Sequence, residues 1–341
     1  MRKKIIYILL VVALAVGVMS FWVYRMFYGS AVDKNFAVEL REGESYDEMI
    51  EKVKAGIDNH WAFDIYADHL GLSSSIKPGY YEIKEGMTVI DVVRMLKIGV
   101  RNTTQIVINN VRTPEALATK IAASIDLDEE ELQALLTNEE YIKECGFDSP
   151  MALFASFLPN TYEVDSNVTP RELLDCLRRE SQRYWEGERV KEHLDYLAEN
   201  TPIKGWYDVM VLASIVHEET KAQEEMARVA GVYINRLNMS MPLQADPTVK
   251  YAVGDPTLNR ILNKHLKVES PYNTYIYKGL PPTPISMPDM VAIEAVLNYE
   301  KHDYIYFCAR AELDGRHNFA KTLSEHNRNA KAYHNAINKL K

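Results

Sequence analysis

The stretch Val209-Met210-Val211-Leu212-Ala213-Ser214-Ile215-Val216-His217-Glu218-Glu219-Thr220 decides how this chain is read. It is an apolar run of helical length that ends on acids. At about 100° per residue, Glu219 shares a helix face with Leu212, Ile215 and Val216, so a carboxyl group is expected within the stripe that faces the core. Glu218 falls at the edge of that stripe beside Val211 and Ser214, and His217 points toward the more polar side. A carboxylic acid among aliphatic side chains has its ionised form disfavoured and its pKa raised, which keeps a general acid protonated near neutral pH. The competing reading is structural: a buried Glu219 that pairs with Arg228 or Arg236 of the next helix, since ion pairs also perturb pKa values.

Outward from this helix, the 341 residues are 47% hydrophobic and 26% charged, the composition of a folded chain with two or three packed units. A net charge of -9 argues against a nucleic-acid partner, which needs an excess of Lys and Arg. Arg2-Lys3-Lys4 precedes a charge-free run from Ile5 to Tyr24, long enough to span a bilayer and longer than a cleavable signal core. The expected order is a cytoplasmic tail (1–4), a transmembrane anchor (5–24) and a linker (25–35), with later residues outside. Trp22, Tyr24, Phe27 and Tyr28 are the interface aromatics. A cleaved signal peptide is the alternative, although no clear small-x-small site follows the run. Cys145, Cys176 and Cys308 form neither a disulfide framework nor a zinc ligand set; they read as packing residues, with one pair left open in an oxidising compartment.

A weak repeat follows the anchor. Glu39-Leu40-Arg41-Glu42-Gly43-Glu44-Ser45 returns as Glu82-Ile83-Lys84-Glu85-Gly86-Met87-Thr88, and Gly56 and Gly99 keep the same offset. Each copy predicts a strand (Phe36 to Leu40, Tyr80 to Ile83), a glycine turn, a Ser or Thr N-cap and an amphipathic helix, with Ser45 and Glu48 as a capping box. This module, 36–100, resembles the LysM fold, which binds N-acetylglucosamine-containing glycans; a compact α+β spacer is the other reading. Next come a strand at Ile106-Val107-Ile108, a helix opened by Thr113 and Pro114, and an acidic helix between Asp126 and Glu139. Phe157 to Glu163 reads as a loop, and Arg171 to Asn200 as long charged helices, so 101–200 is expected to be a helical connecting part. From 201 to 341 the sequence alternates helices with loops rich in hydrogen-bonding and aromatic side chains, the surface a saccharide groove needs. The fold class is α+β.

Several chemistries lack their signatures. His217-Glu218 is not a zinc helix, because Lys221 stands where the second histidine belongs. G-x-S-x-G, P-loop and G-x-G-x-x-G patterns do not occur, and neither a metal nor a cofactor is expected. His302, His317, His326 and His334 read as surface or hydrogen-bonding residues, with His317-Asn318-Phe319 and His326-Asn327-Arg328 able to border a cleft.

Taken in order, Leu212-Ala213-Ser214-Ile215-Val216 with Glu219-Thr220, Val229 to Leu237, Leu243-Gln244-Ala245-Asp246-Pro247-Thr248, Pro271-Tyr272-Asn273-Thr274-Tyr275, Gly279-Leu280-Pro281-Pro282 and His317-Asn318-Phe319 resemble the endolytic murein transglycosylase, or YceG-like, family. In that family the helix reads Ile-Val-Glu-x-Glu-Thr and the second acid is catalytic, which places the role on Glu219; the first acid is replaced here by His217. The usual Glu-Gly before the Pro159 loop is Phe154-Ala155. The resemblance implies a lyase of the bacterial inner membrane, its catalytic domain periplasmic. It would cut the MurNAc-GlcNAc β-1,4 bond inside peptidoglycan strands, leave 1,6-anhydroMurNAc ends, and terminate or trim nascent strands. Implied partners are the glycan strands and cell-wall synthases such as penicillin-binding proteins. Gln244, Tyr272 and Asn273 are candidates to orient the acid or the sugar, and Asn160 and Tyr162 to wall the groove. Asp246 is either a substrate contact or a helix N-cap before Pro247. Two other functions remain open: a membrane-tethered, non-catalytic wall-binding scaffold, and a muramidase-type hydrolase using Glu219 and Asp246.

Overall fold

Helix α1 (Arg2–Tyr28) opens the computed structural model, which describes residues 2–41, 43–99, 103–255, 258 and 260–339. Within it, Leu10–Tyr28 is long and apolar enough to cross a membrane, and no residue of that stretch is fully buried. The expected span began at residue 5, among side chains that lie outside the described set.

The chain divides into two units, Met1–Thr104 with Glu163–Val168, and Gln105–Tyr162 with Thr169–Lys341. In the first, β1 (Phe36–Leu40) leads through α2 (Tyr46–Lys54) and α3 (His60–His69) to β2 (Gly79–Ile83) and α4 (Val89–Ile98). The strands pair antiparallel from Phe36 opposite Ile83 to Leu40 opposite Gly79. Val38, Leu40, Tyr81 and Ile83 bury one face of this ribbon against the helices, the alternation a half-buried pair requires. Both repeat copies carry their caps: Ser45 with Glu48 and Thr88 with Asp91 form complete capping boxes. The repeat does not contain α3, whose Ala62, Phe63 and Ala67 complete the core. Nor is 25–35 a free linker. Ala31 and Val32 are buried, and Met26 and Phe27 pack on the same core.

The second unit contains α5 (Pro114–Ala122), α6 (Glu129–Thr137), α7 (Glu139–Glu144), α8 (Pro150–Ala155), α9 (Pro170–Glu186), α10 (Glu188–Asn200), α11 (Trp206–Glu219), α12 (Gln223–Asn238), α13 (Asp246–Val253) and α14 (Met290–Leu297), then β5 (Tyr306–Ala309), β6 (His317–Ala320) and α15 (Leu323–Asn338). Thr113 caps α5 with Pro114 in its first turn, as the sequence predicts. Of the segment read as a loop, Phe157 to Pro159 is irregular, but Asn160 to Glu163 is strand. β3 (Thr103–Ile108) and β4 (Asn160–Asp165) form a two-stranded sheet, a pairing between segments far apart in sequence that local residue types do not announce.

No division falls at residue 201. Trp185, Val190 and Leu197 of α9 and α10 share one core with Val209, Leu212, Val216, Val229, Tyr233 and Val296. Helix α11 runs through that core with every residue from Val209 to Val216 buried. It therefore has no polar face, and the expected amphipathic stripe is replaced by a helix that is apolar all round and central.

Candidate active site

The fully buried part of α11 ends at Val216, and the three polar residues that follow diverge. His217 brings Nδ1 within 3.3 Å of Asp289 Oδ2 without making a hydrogen bond. Glu218 accepts a 2.7 Å hydrogen bond from Arg112 Nη2. Glu219, the last helical residue, turns to α12 and accepts a 3.1 Å hydrogen bond from the Tyr233 hydroxyl. Glu219 keeps partial access at the surface, while its carboxyl group is enclosed by protein.

Burial pushes the Glu219 carboxyl up from its ordinary 4.5 to about 7; the Asp246 charge adds to this, while the Tyr233 hydrogen bond and the Arg236 charge oppose it. Its place at the helix C-terminus, where carbonyl dipoles leave partial negative charge, works in the same direction as burial. The ion-pair reading does not hold among the described residues. Arg228 is taken by Glu300, at 2.9 and 3.0 Å from Nε. Arg236, itself buried, donates from Nε to Ile305 O at 2.7 Å and from Nη1 to Leu243 O at 2.6 Å.

The wall around the acid is tied together by backbone and threonine hydroxyl hydrogen bonds. Gln244 N donates to Thr274 O (3.0 Å), Ala245 N to Thr274 Oγ1 (3.0 Å), and the buried Thr248 and Thr274 hydroxyls meet at 2.8 Å. This brace holds Gln244 at a φ of 51°, a left-handed conformation uncommon for a residue with a side chain, and leaves that side chain exposed. Asp246 follows, its Oδ1 accepting a 2.7 Å bond from the Tyr275 hydroxyl. Behind α12, Gly231 allows the Glu300 carbonyl to approach; a Cβ there would lie 2.3 Å from that oxygen. Asn235 fixes the same segment by donating to His302 O and Tyr304 O at 2.7 and 2.9 Å.

With this geometry in hand, the YceG-like family is found to match residues 38–332. The chain belongs to the YceG-like family. It is 28% identical to the endolytic murein transglycosylase of Bacillus subtilis strain 168, over 87% of this chain and 84% of that protein. It is 26% identical to the endolytic murein transglycosylase of Streptococcus pneumoniae serotype 2 strain D39, over 89% of this chain but 59% of that longer protein. A crystal structure of a YceG-like protein from Listeria monocytogenes superposes with a TM-score of 0.54 at 26% identity, covering 87% of this chain and 99% of that one.

Several sequence-derived site residues of this YceG-like chain find other roles. Asn273 is buried, with Nδ2 donating to Leu266 O (3.1 Å) and Val268 O (2.9 Å) and Oδ1 accepting from Tyr275 N (3.1 Å); it clamps its own loop and has no free donor for a sugar. Tyr162 is likewise buried, its hydroxyl donating to Leu158 O at 2.7 Å, so it does not wall a groove. Asn160 is exposed at the start of β4, and its side-chain oxygen accepts from Thr161 N. Tyr272 bonds Thr283 through its hydroxyl (2.7 Å) and packs on Tyr251 at 4.7 Å between rings. Asp246 is not a cap: Ala245 occupies that position, and the carboxylate faces Tyr275. Phe154 and Ala155 are core residues of α8. His317 has Nδ1 3.0 Å from the buried Glu225 and its ring edge-on to Phe307, which in turn packs on Tyr233.

Tyr233 and Tyr275 are the two polar partners that sequence reasoning missed. Both lie inside quoted motifs, but nothing in a linear pattern separates a phenol facing a carboxyl group from one in the core. Two substitutions should move the Glu219 titration in opposite directions. Tyr233→Phe removes the bond that favours the carboxylate, so the alkaline limb of the pH–rate profile shifts up; Asp246→Asn removes the charge that disfavours it, so the limb shifts down. Profiles in which both variants move the same way would rule out this electrostatic account.

Proposed function

We propose that this chain is a membrane-anchored lytic transglycosylase that cuts the β-1,4 bond between N-acetylmuramic acid and N-acetylglucosamine within peptidoglycan strands. The observation that carries the reading is Glu219: a partly accessible residue whose enclosed carboxyl group, without a cationic partner among the described residues, is poised at about 7. A group near the working pH serves both as proton donor and as proton acceptor. The names of the relatives support the same substrate.

Glu219 gives its proton to the glycosidic oxygen as the C1–O4 bond breaks and charge develops at C1. The resulting carboxylate removes the proton of the muramyl C6 hydroxyl, whose oxygen bonds C1 and closes the 1,6-anhydro ring. Water is neither consumed nor released, and the acid returns protonated. One carboxyl group suffices because the attacking hydroxyl belongs to the sugar itself and acts at high effective concentration. Asp246 then acts through its charge, keeping Glu219 protonated at the start, with Tyr275 holding the carboxylate in place. Gln244, fixed by its backbone and exposed by its side chain, is the best placed amide for an N-acetyl group or a hydroxyl. Helix α1 anchors the enzyme with its basic N-terminus inside and the rest outside, where glycan strands and cell-wall synthases are its partners.

Mass spectrometry of digested glycan strands tests the chemistry. The expected products carry anhydro ends; products heavier by one water would indicate a hydrolase using Glu219 and Asp246 instead. No cleavage of purified sacculi would favour a binding scaffold.

A further inference from the structure

We propose that the first turn of α3 is a second membrane contact, with Trp61 seated in the lipid headgroup layer beside the end of α1. This rests on the reading of α1 as an anchor and goes beyond it by fixing how the first unit meets the bilayer. Asn59 joins the two helices. Its Oδ1 caps α3 by accepting from Ala62 N at 3.2 Å, and its Nδ2 donates to Met26 O at 3.3 Å in the last turn of α1. Phe27 meets Tyr66 of α3 edge-on at 6.5 Å. The chain between anchor and module is not a swivel: Gly29 N donates to Arg25 O and Ala31 N to Met87 O, both at 2.9 Å, and Ala31 and Val32 are buried. The start of α3 is thereby held at the end of the apolar stretch Leu10–Tyr28.

At that level two apolar side chains one helical turn apart lie open, Trp61 at 58% and Ile65 at 41% exposure. Side chains in a helix lean toward its N-terminus, which directs Trp61 toward Asn59 and α1. The acid beside them, Asp64, is neutralised by Lys54 at 2.6 Å. Trp22, Tyr24 and Tyr28 are exposed on α1, so Trp61 extends an aromatic girdle of the kind found where protein passes through headgroups. A glycan would use the indole face but not Ile65, which favours lipid as the occupant.

The test uses the full chain in phosphatidylcholine–phosphatidylglycerol vesicles containing lipid brominated near the headgroup, reading tryptophan quenching. The sequence has four tryptophans, Trp22, Trp61, Trp185 and Trp206, and the last two are common to every protein compared. Trp61→Phe and Trp22→Phe are each expected to remove about half of the quenchable emission, the share of one interfacial indole out of two. Wild-type quenching in Trp61→Phe alongside a loss in Trp22→Phe would overturn the proposal, place Trp61 in water or on glycan, and leave the anchor intact. Wild-type quenching in both variants would remove the anchor reading and this one together.

Discussion

Glu219→Gln is expected to lower glycan cleavage by about 10²–10⁴-fold, the contribution of a positioned acid–base group, and to make the protein more stable at alkaline pH. The two effects have one cause. Desolvation raises the carboxyl from 4.5 to about 7 in the folded protein, whereas the unfolded chain keeps the ordinary value. Between those pH values the folded state holds a proton that the unfolded state has released, so stability falls as pH rises from about 4.5 and levels off above about 7. The gap corresponds to about 3 kcal/mol, lost in the wild type at pH 8 and not in the uncharged variant. Urea unfolding of both proteins near pH 4.5 and at pH 8 checks this: matching stabilities at the acid end and a more stable Gln variant at the alkaline end are expected. Retained cleavage would remove Glu219 from the chemistry, and equal stability at both pH values would show a solvated carboxyl group. The trade of stability for activity is the usual one where a catalytic group is held in an unfavourable setting.

Arg236→Met is expected to cost about 3 kcal/mol of stability, because it leaves the buried carbonyl of Leu243 and the part-buried carbonyl of Ile305 without their charge-assisted donors. The guanidinium also lies over the Tyr306 ring at 5.5 Å, so its loss removes packing between α12 and β5. Arg236→Lys should not rescue the protein, since one ammonium cannot reproduce a planar fork reaching two carbonyls. Arg236→Met also removes a charge that favours Glu219 ionisation, so the alkaline limb of any residual activity should move to higher pH. Urea midpoints decide the first point. A loss below about 1 kcal/mol would mean that water replaces the lost donors.

The sequence is most legible where a feature depends on residues within one turn, one strand or one continuous run. Ser45 with Glu48, Thr113 with Pro114, the strand Phe36–Leu40 and the apolar N-terminal helix all form as local pattern predicts, because caps and strand alternation are settled within one turn or one strand. Legibility ends where distant segments choose partners. The pairing of β3 with β4, the burial of Asn273 and Tyr162, and the common core of α9, α10 and α11 arise from contacts between residues far apart along the chain.

By itself, the sequence determined that a carboxyl group stands at the end of a long apolar helix, followed by polar loops suited to a sugar. Only the tertiary structure decided what surrounds that group. Tyr233 lies ten residues into α12, about 15 Å along its axis, where a tight antiparallel hairpin would have set Glu219 against the first turn instead. The packing of the two helices on the core they share with α14 brings Tyr233 and Arg236 to the acid, and the Thr248–Thr274 brace sets Asp246, at the start of α13, and Tyr275 beside it. A residue type can be read from sequence, but a pKa near 7 belongs to the desolvation and charges that packing assembles.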